Sequence, residues 1–142
     1  MSSWLLTLDA TGSVPKRELK IDSLNQLNMG LQKLANSKEG SATLCGSGKT
    51  GDFLVLGVEG DLAFSQFIPM DPVDTPPEKC RPYQWALASE SHDDEPDLEF
   101  SLGGTPTDVT RRRCITVEKM MEIAKHYFET QELLKGVTWE AE

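Results

Sequence analysis

Phe53-Leu54-Val55-Leu56-Gly57-Val58-Glu59-Gly60-Asp61-Leu62-Ala63-Phe64-Ser65-Gln66-Phe67-Ile68 is the stretch that decides the fold. Its first six residues are apolar on both alternating faces, as in a central strand covered on two sides. Glu59-Gly60-Asp61 is a short turn signal, so 52–58 and 61–68 are expected to pair as an antiparallel hairpin. Working outward, 42–45 reads as a strand on the N-terminal side and Ser3–Leu8 as the first strand of the chain. Between those two, Leu24, Leu27, Leu31 and Leu34 recur at helical spacing. They predict a helix over 22–36, with Ser23 and Gln26 as a capping box.

On the C-terminal side, 83–89 reads as a strand, and 98–102 alternates Leu98, Phe100 and Leu102 against Glu99 and Ser101. A second helix is expected over 117–130, with Thr116 as N-cap. Its apolar stripe is Met120, Met121, Ala124, Tyr127 and Phe128, while Glu118, Glu122 and Lys125 face water. A last short strand runs through Val137-Thr138-Trp139. The order predicts an α+β fold: one domain over 1–142, two helices packed on a mostly antiparallel sheet.

At 142 residues, 38% hydrophobic and 26% charged, the chain belongs with globular sequences. A chain of this length buries roughly 70% of its unfolded surface, enough to need neither metal nor disulfide. No run approaches the ~18 apolar residues of a membrane span, and no basic segment precedes Trp4-Leu5-Leu6. Cys45, Cys80 and Cys114 are odd in number and widely spaced, as suits a reducing compartment. A cytoplasmic location is the expectation. The net charge of −9 disfavours nucleic acid and anionic membranes as ligands. It favours a basic protein partner.

The charge is concentrated. Between 69 and 99, nine acidic side chains face only Lys79 and Arg81, which leaves this stretch with seven of the nine net negative charges. Six prolines (69, 72, 76, 77, 82 and 96) make much of it loop. One reading is a solvated, solubilising surface. The other is an anionic docking face formed by Asp71, Asp74, Glu78, Glu90, Asp93, Asp94, Glu95 and Asp97, with Tyr83 as an aromatic anchor. Trp85 fits either an interface or the core.

Several chemical motifs fail on inspection. Gly46-Ser47-Gly48-Lys49-Thr50 resembles a phosphate loop, but Thr43 stands where the first glycine belongs. A strand rather than a helix follows it, so a hairpin turn is expected. His92 and His126 lie far apart, and no cysteines have metal-ligand spacing. Asp93-Asp94-Glu95 lacks the alternation and glycine of a calcium loop. Cys114 with His126 is conceivable across the fold, yet a buried structural cysteine is the simpler reading. No cofactor, metal or catalytic residue is expected.

A family pattern emerges in the C-terminal third. Gly103-Gly104-Thr105-Pro106, Arg113-Cys114-Ile115-Thr116-Val117-Glu118-Lys119-Met120, Ala124-Lys125-His126-Tyr127-Phe128-Glu129-Thr130 and Val137-Thr138-Trp139 follow in that order. This resembles the immunity protein 1 family of bacterial polymorphic toxin systems, particularly its members that protect against secreted DNA cytosine deaminase toxins. The resemblance is specific over 100–142; upstream it holds in element order. It implies a non-enzymatic, stoichiometric inhibitor that binds the effector domain of a cognate toxin one-to-one in the producing cell, usually encoded beside it. In physical terms Gly103 and Gly104 permit positive φ at a turn, and Trp139 covers the sheet or the second helix. A secretion chaperone or adaptor, and a small enzyme using Cys114 or the 46–50 loop, are the rival readings.

Overall fold

The chain from Phe53 to Ile68 forms the hairpin its pattern predicts, with a two-residue turn at Gly60-Asp61. The structure, a computed structural model, describes residues 4–9, 15–46, 51–88 and 95–142. Ten strands and two helices follow in the order β1 (Trp4–Leu8), β2 (Arg17–Ile21), α1 (Leu24–Ser37), β3 (Glu39–Cys45), β4 (Phe53–Glu59), β5 (Leu62–Ile68), β6 (Gln84–Ala86), β7 (Leu98–Leu102), β8 (Thr105–Val109), β9 (Ile115–Thr116), α2 (Val117–Thr130) and β10 (Trp139–Ala141). The main sheet runs β10-β6-β5-β4-β3-β1-β2, antiparallel throughout, and β9 adds to the β5 edge beside β6. The fold is the expected α+β domain.

Register sorts the side chains. Leu6, Leu44, Leu54, Leu56 and Val58 turn to one face, where α1 and α2 cover them with Leu27, Leu31, Leu34, Met120, Ile123, Ala124 and Tyr127. Both helices start where their caps direct. Ser23 Oγ accepts from Gln26 N at 3.2 Å, and Gln26 Oε1 accepts in turn from Asp22 N, one residue ahead of the cap. Thr116 Oγ1 accepts from Lys119 N at 3.1 Å. The stripe on α2 is as read, with Ile123 added and Met121 and Phe128 at its half-buried margin.

The opposite face has its own cover. Among the described residues β7 and β8 pair only with each other, and their hairpin lies across β3 and β4. Phe100 and Val109 pack with Phe64, Trp85 and Cys114 in a second, smaller core. Phe64 and Phe100 meet edge to face at 5.1 Å, a geometry worth about 1 kcal/mol beyond the area it buries. Gly57 is the seat of the Phe64 ring: a Cβ built there would stand 2.0 Å from Phe64 Cε2. The hairpin turns at Gly103 and Gly104, with φ of 59° and 86° as their turn requires. It is pinned there by Gly103 N donating to Ser41 Oγ at 2.9 Å.

Some boundaries differ from the pattern. β3 begins at Glu39 rather than 42, β6 is shorter than 83–89, and β10 sits two residues beyond 137–139. Trp139 lies in β10 against the helix-side core, its indole N–H on Leu134 O at 3.2 Å. β2 and β8 have no strand signal in the sequence. β2 is an edge strand whose Arg17, Glu18 and Lys20 are exposed, and such charges guard an edge against further pairing. β8 carries Pro106, which a strand tolerates only at an edge. Of the loop read as a turn at 46–50, positions 47–50 lie outside the described residues; β3 and β4 on either side do pair antiparallel.

Candidate binding surface

The acidic, proline-rich stretch occupies two places in the fold. The first is the loop 69–83 joining β5 to β6. Pro69 has no N–H to continue the ladder, so the chain leaves the sheet after Ile68. It is caught at once by Asp52, a carboxylate only 9% exposed at the foot of β4. Asp52 Oδ1 accepts from Met70 N at 2.9 Å, and both its oxygens accept from Arg81, at 2.7 and 2.8 Å. Arg81 also donates from Nε to Asp71 Oδ1 at 2.8 Å and from its backbone N to Asp71 Oδ2 at 2.7 Å.

Asp71 and Arg81 therefore close the neck of a loop whose ends meet on the sheet, the arrangement of an Ω-loop. Inside it, Thr75 N donates to Pro72 O, Cys80 N to Pro77 O, and the Cys80 thiol to Thr75 O. The electrostatics follow the contacts. The Arg81 backbone N–H, then its side chain, hold the Asp71 carboxyl below the usual carboxylate range, and Asp52 foremost pushes the Arg81 guanidinium still higher.

Apart from buried Pro69 and half-buried Thr75, the loop turns the rest of its side chains outward. Val73 is fully exposed, Met70 is 53% and Tyr83 46% exposed, and Asp74, Glu78 and Lys79 stand in solvent beside them. Of the acids expected to form a docking face, Asp74 and Glu78 are exposed, whereas Asp71 belongs to the clamp. Trp85 goes to the core, 5.5 Å from Phe64 with the Arg113 guanidinium 4.8 Å from its ring centroid.

The second place lies past the other end of β6. Glu95 pairs with Arg111 at 2.8 Å, and Asp97 and Glu99 are exposed at the entry to β7. Glu90, Asp93 and Asp94, with His92, fall outside the described residues. Next to Arg111, Arg112 and Arg113 both grip Glu140, at 2.9 and 2.7 Å, and fasten β10 to the sheet. Their hydrogen bonds, that of Arg112 first, keep the Glu140 carboxyl below its ordinary range.

Chemistry by the cysteine finds no support in its position. Cys114 is buried in the second core, its thiol pushed up to about 11 by burial, whereas His126 lies half-exposed on α2, which packs on the other face. Among the described residues, no three His, Cys, Asp or Glu side chains cluster in a way that would hold a metal ion. No helix among them is long and apolar enough to cross a membrane.

Sequence reasoning missed Met70, Val73, Asp52 and the clamp. The signal available was two apolar residues, Met70 and Val73, standing among prolines with no strand or helix period to bury them.

The sheet is thus covered on both faces and carries a loop clamped by Asp52, Asp71 and Arg81. A family model described as Immunity protein Imm1 matches residues 16–141, nearly the whole chain. The chain belongs to the Imm1 immunity protein family. No curated protein matches it.

Proposed function

We propose that this protein is the cytoplasmic antidote to a cognate secreted toxin, binding the toxin's effector domain one-to-one and occluding its active site without catalysis. Membership of the Imm1 family supports toxin immunity and a toxin protein as the partner. The observation that carries the finer reading is the acidic charge gathered on two loop regions of a near-neutral scaffold. Asp74, Glu78, Tyr83, Glu90, Asp93, Asp94, Glu95 and Asp97 form its docking face, and Asp71 serves it by holding the loop. Such a face suits a basic effector domain that handles nucleic acid, a cytosine deaminase or a nuclease, by standing in for substrate phosphates. An interface of this kind buries on the order of 1,600 Å².

Co-expression tests it. Cells producing the effector domain of the toxin encoded beside this gene should grow normally when this protein is supplied, and the purified domain should lose activity at one equivalent. Binding to that toxin outside the effector domain, with no rescue, would instead mark an adaptor.

A further inference from the structure

Five large apolar side chains are exposed among the described residues, and three of them, Met70, Val73 and Tyr83, belong to one loop. Binding residues concentrate on loops held by a rigid scaffold, so exposed apolar side chains on such a loop are candidates for contact. This loop is rigid by construction. Its neck is closed by Asp71 and Arg81, its base is bonded to buried Asp52, and five prolines restrict what remains. Little conformational entropy is left to lose on docking, so contacts made by its tip convert efficiently into affinity.

We infer that the clamped loop 69–83 is the anchor of the toxin interface, inserting Val73 into the apolar base-binding pocket of a nucleic-acid-processing effector domain while Asp74 and Glu78 meet the cations that otherwise hold phosphate. The inference rests on the proposed antidote role and deepens it by naming the contact. Pockets that take an extruded base are lined by apolar and aromatic groups and approached over Lys and Arg. Fully exposed Val73, followed by exposed Asp74 on a loop that also exposes Glu78, matches that pattern in both respects. Lys79, the one cation of the loop not engaged in the clamp, lies one residue past Glu78 and leaves the Val73-Asp74 tip purely apolar and acidic.

The experiment uses the whole protein and a catalytically inactivated effector domain of the toxin encoded beside it. Wild type should form a tight complex; failure to do so would sink the antidote role itself. Given that complex, Val73→Asp and Tyr83→Ala should each raise Kd at least tenfold, mainly through faster dissociation, with circular dichroism and Tm unchanged. Alkylation of the exposed Cys80 thiol by iodoacetamide should slow at least tenfold in the complex. A single-stranded oligonucleotide bound to the inactive domain should be expelled as the complex forms. If both variants bind within twofold of wild type, if Cys80 reacts as fast in the complex as alone, or if the oligonucleotide stays bound, the loop is not the anchor, although the antidote role would stand.

Discussion

Arg81 reaches 29 residues back along the chain to hold Asp52 through both terminal nitrogens, at 2.7 and 2.8 Å, while its Nε holds Asp71 at 2.8 Å. One guanidinium thus joins a sheet residue to the neck of a loop. The planar fork of arginine suits this because its two terminal nitrogens take Asp52 while Nε on its other edge takes Asp71, a fixed spread of donors that the point charge of a lysine lacks. Loop geometry is consequently set by the sheet.

Removing the fork leaves Asp52 almost buried with its main counter-charge gone. Arg81→Ala should cost about 2 kcal/mol, moderated by the partial exposure of Arg81, and lower Tm by roughly 6 °C. Asp52→Asn should cost less, since the amide still accepts from Met70 N. Urea unfolding of the three proteins measures both, and an Arg81→Ala protein as stable as wild type would show that the loop holds its shape without the clamp.

The carboxylates in these arginine contacts also set the acid limit. Asp71 and Glu140 titrate lower folded than unfolded. Their contribution is complete above their unfolded values of about 4 and is lost as pH falls through the lowered folded values. Stability should decline on acidification below about pH 4, and Asp71→Asn and Glu140→Gln should each flatten that decline. At the alkaline end the sign reverses. Burial pushes Cys114 up to about 11 and Tyr127 up to about 12, so the folded state favours their neutral forms. Stability is then lost as pH climbs from about 9, where an unfolded thiol ionises. Cys114→Ala should remove part of that loss. Urea midpoints across the range report each limb.

How far the sequence discloses this molecule depends on the range of the interactions involved. α2 is legible to the residue because its stripe and its Thr116 cap are local, and so is the β4–β5 hairpin, whose turn lies between its strands. β2 is not, because three of its five residues are charged and only the pairing with β1 reveals Leu19 and Ile21 as its inward side. The β7 pattern was readable, but nothing local says that it pairs outside the main sheet and roofs the second core. The acidic stretch reads as one feature, yet β6 runs through it and separates loop 69–83 from the Glu95–Glu99 end. Asp71 looks like its neighbours in sequence and differs from them only because Arg81 folds back upon it.

The second core supplies a sharper test of packing. Gly57 has the Phe64 ring where a side chain would go, so Gly57→Ala forces either the ring or strand β4 to shift. Overpacking of this kind costs about 3 kcal/mol. Shortening the ring in Gly57→Ala/Phe64→Leu should return part of the loss, so the pair should be markedly non-additive. Denaturant titrations of the two single variants and the double variant decide it, and simple additivity would mean that Phe64 does not lean on Gly57.

On the proposed docking role, steering and anchoring divide between the two acidic places, and kinetics can separate them. Charges that guide encounter act before contact and at a distance, so they govern association and are screened by salt; groups that fill a pocket govern dissociation. Among the described residues, no large apolar side chain near Glu95 and Asp97 in sequence is exposed as Val73 is. Converting Asp93, Asp94, Glu95 and Asp97 to Lys should therefore slow association with the effector domain about tenfold or more at low ionic strength and flatten its salt dependence, with the dissociation rate little changed. Val73→Asp should show the opposite division. Stopped-flow association and dissociation rates, taken at two salt concentrations, distinguish the cases. If the fourfold charge reversal left both the association rate and its salt dependence untouched, the negative potential of this end of the molecule would have no part in finding the toxin, and the loop would have to account for recognition alone.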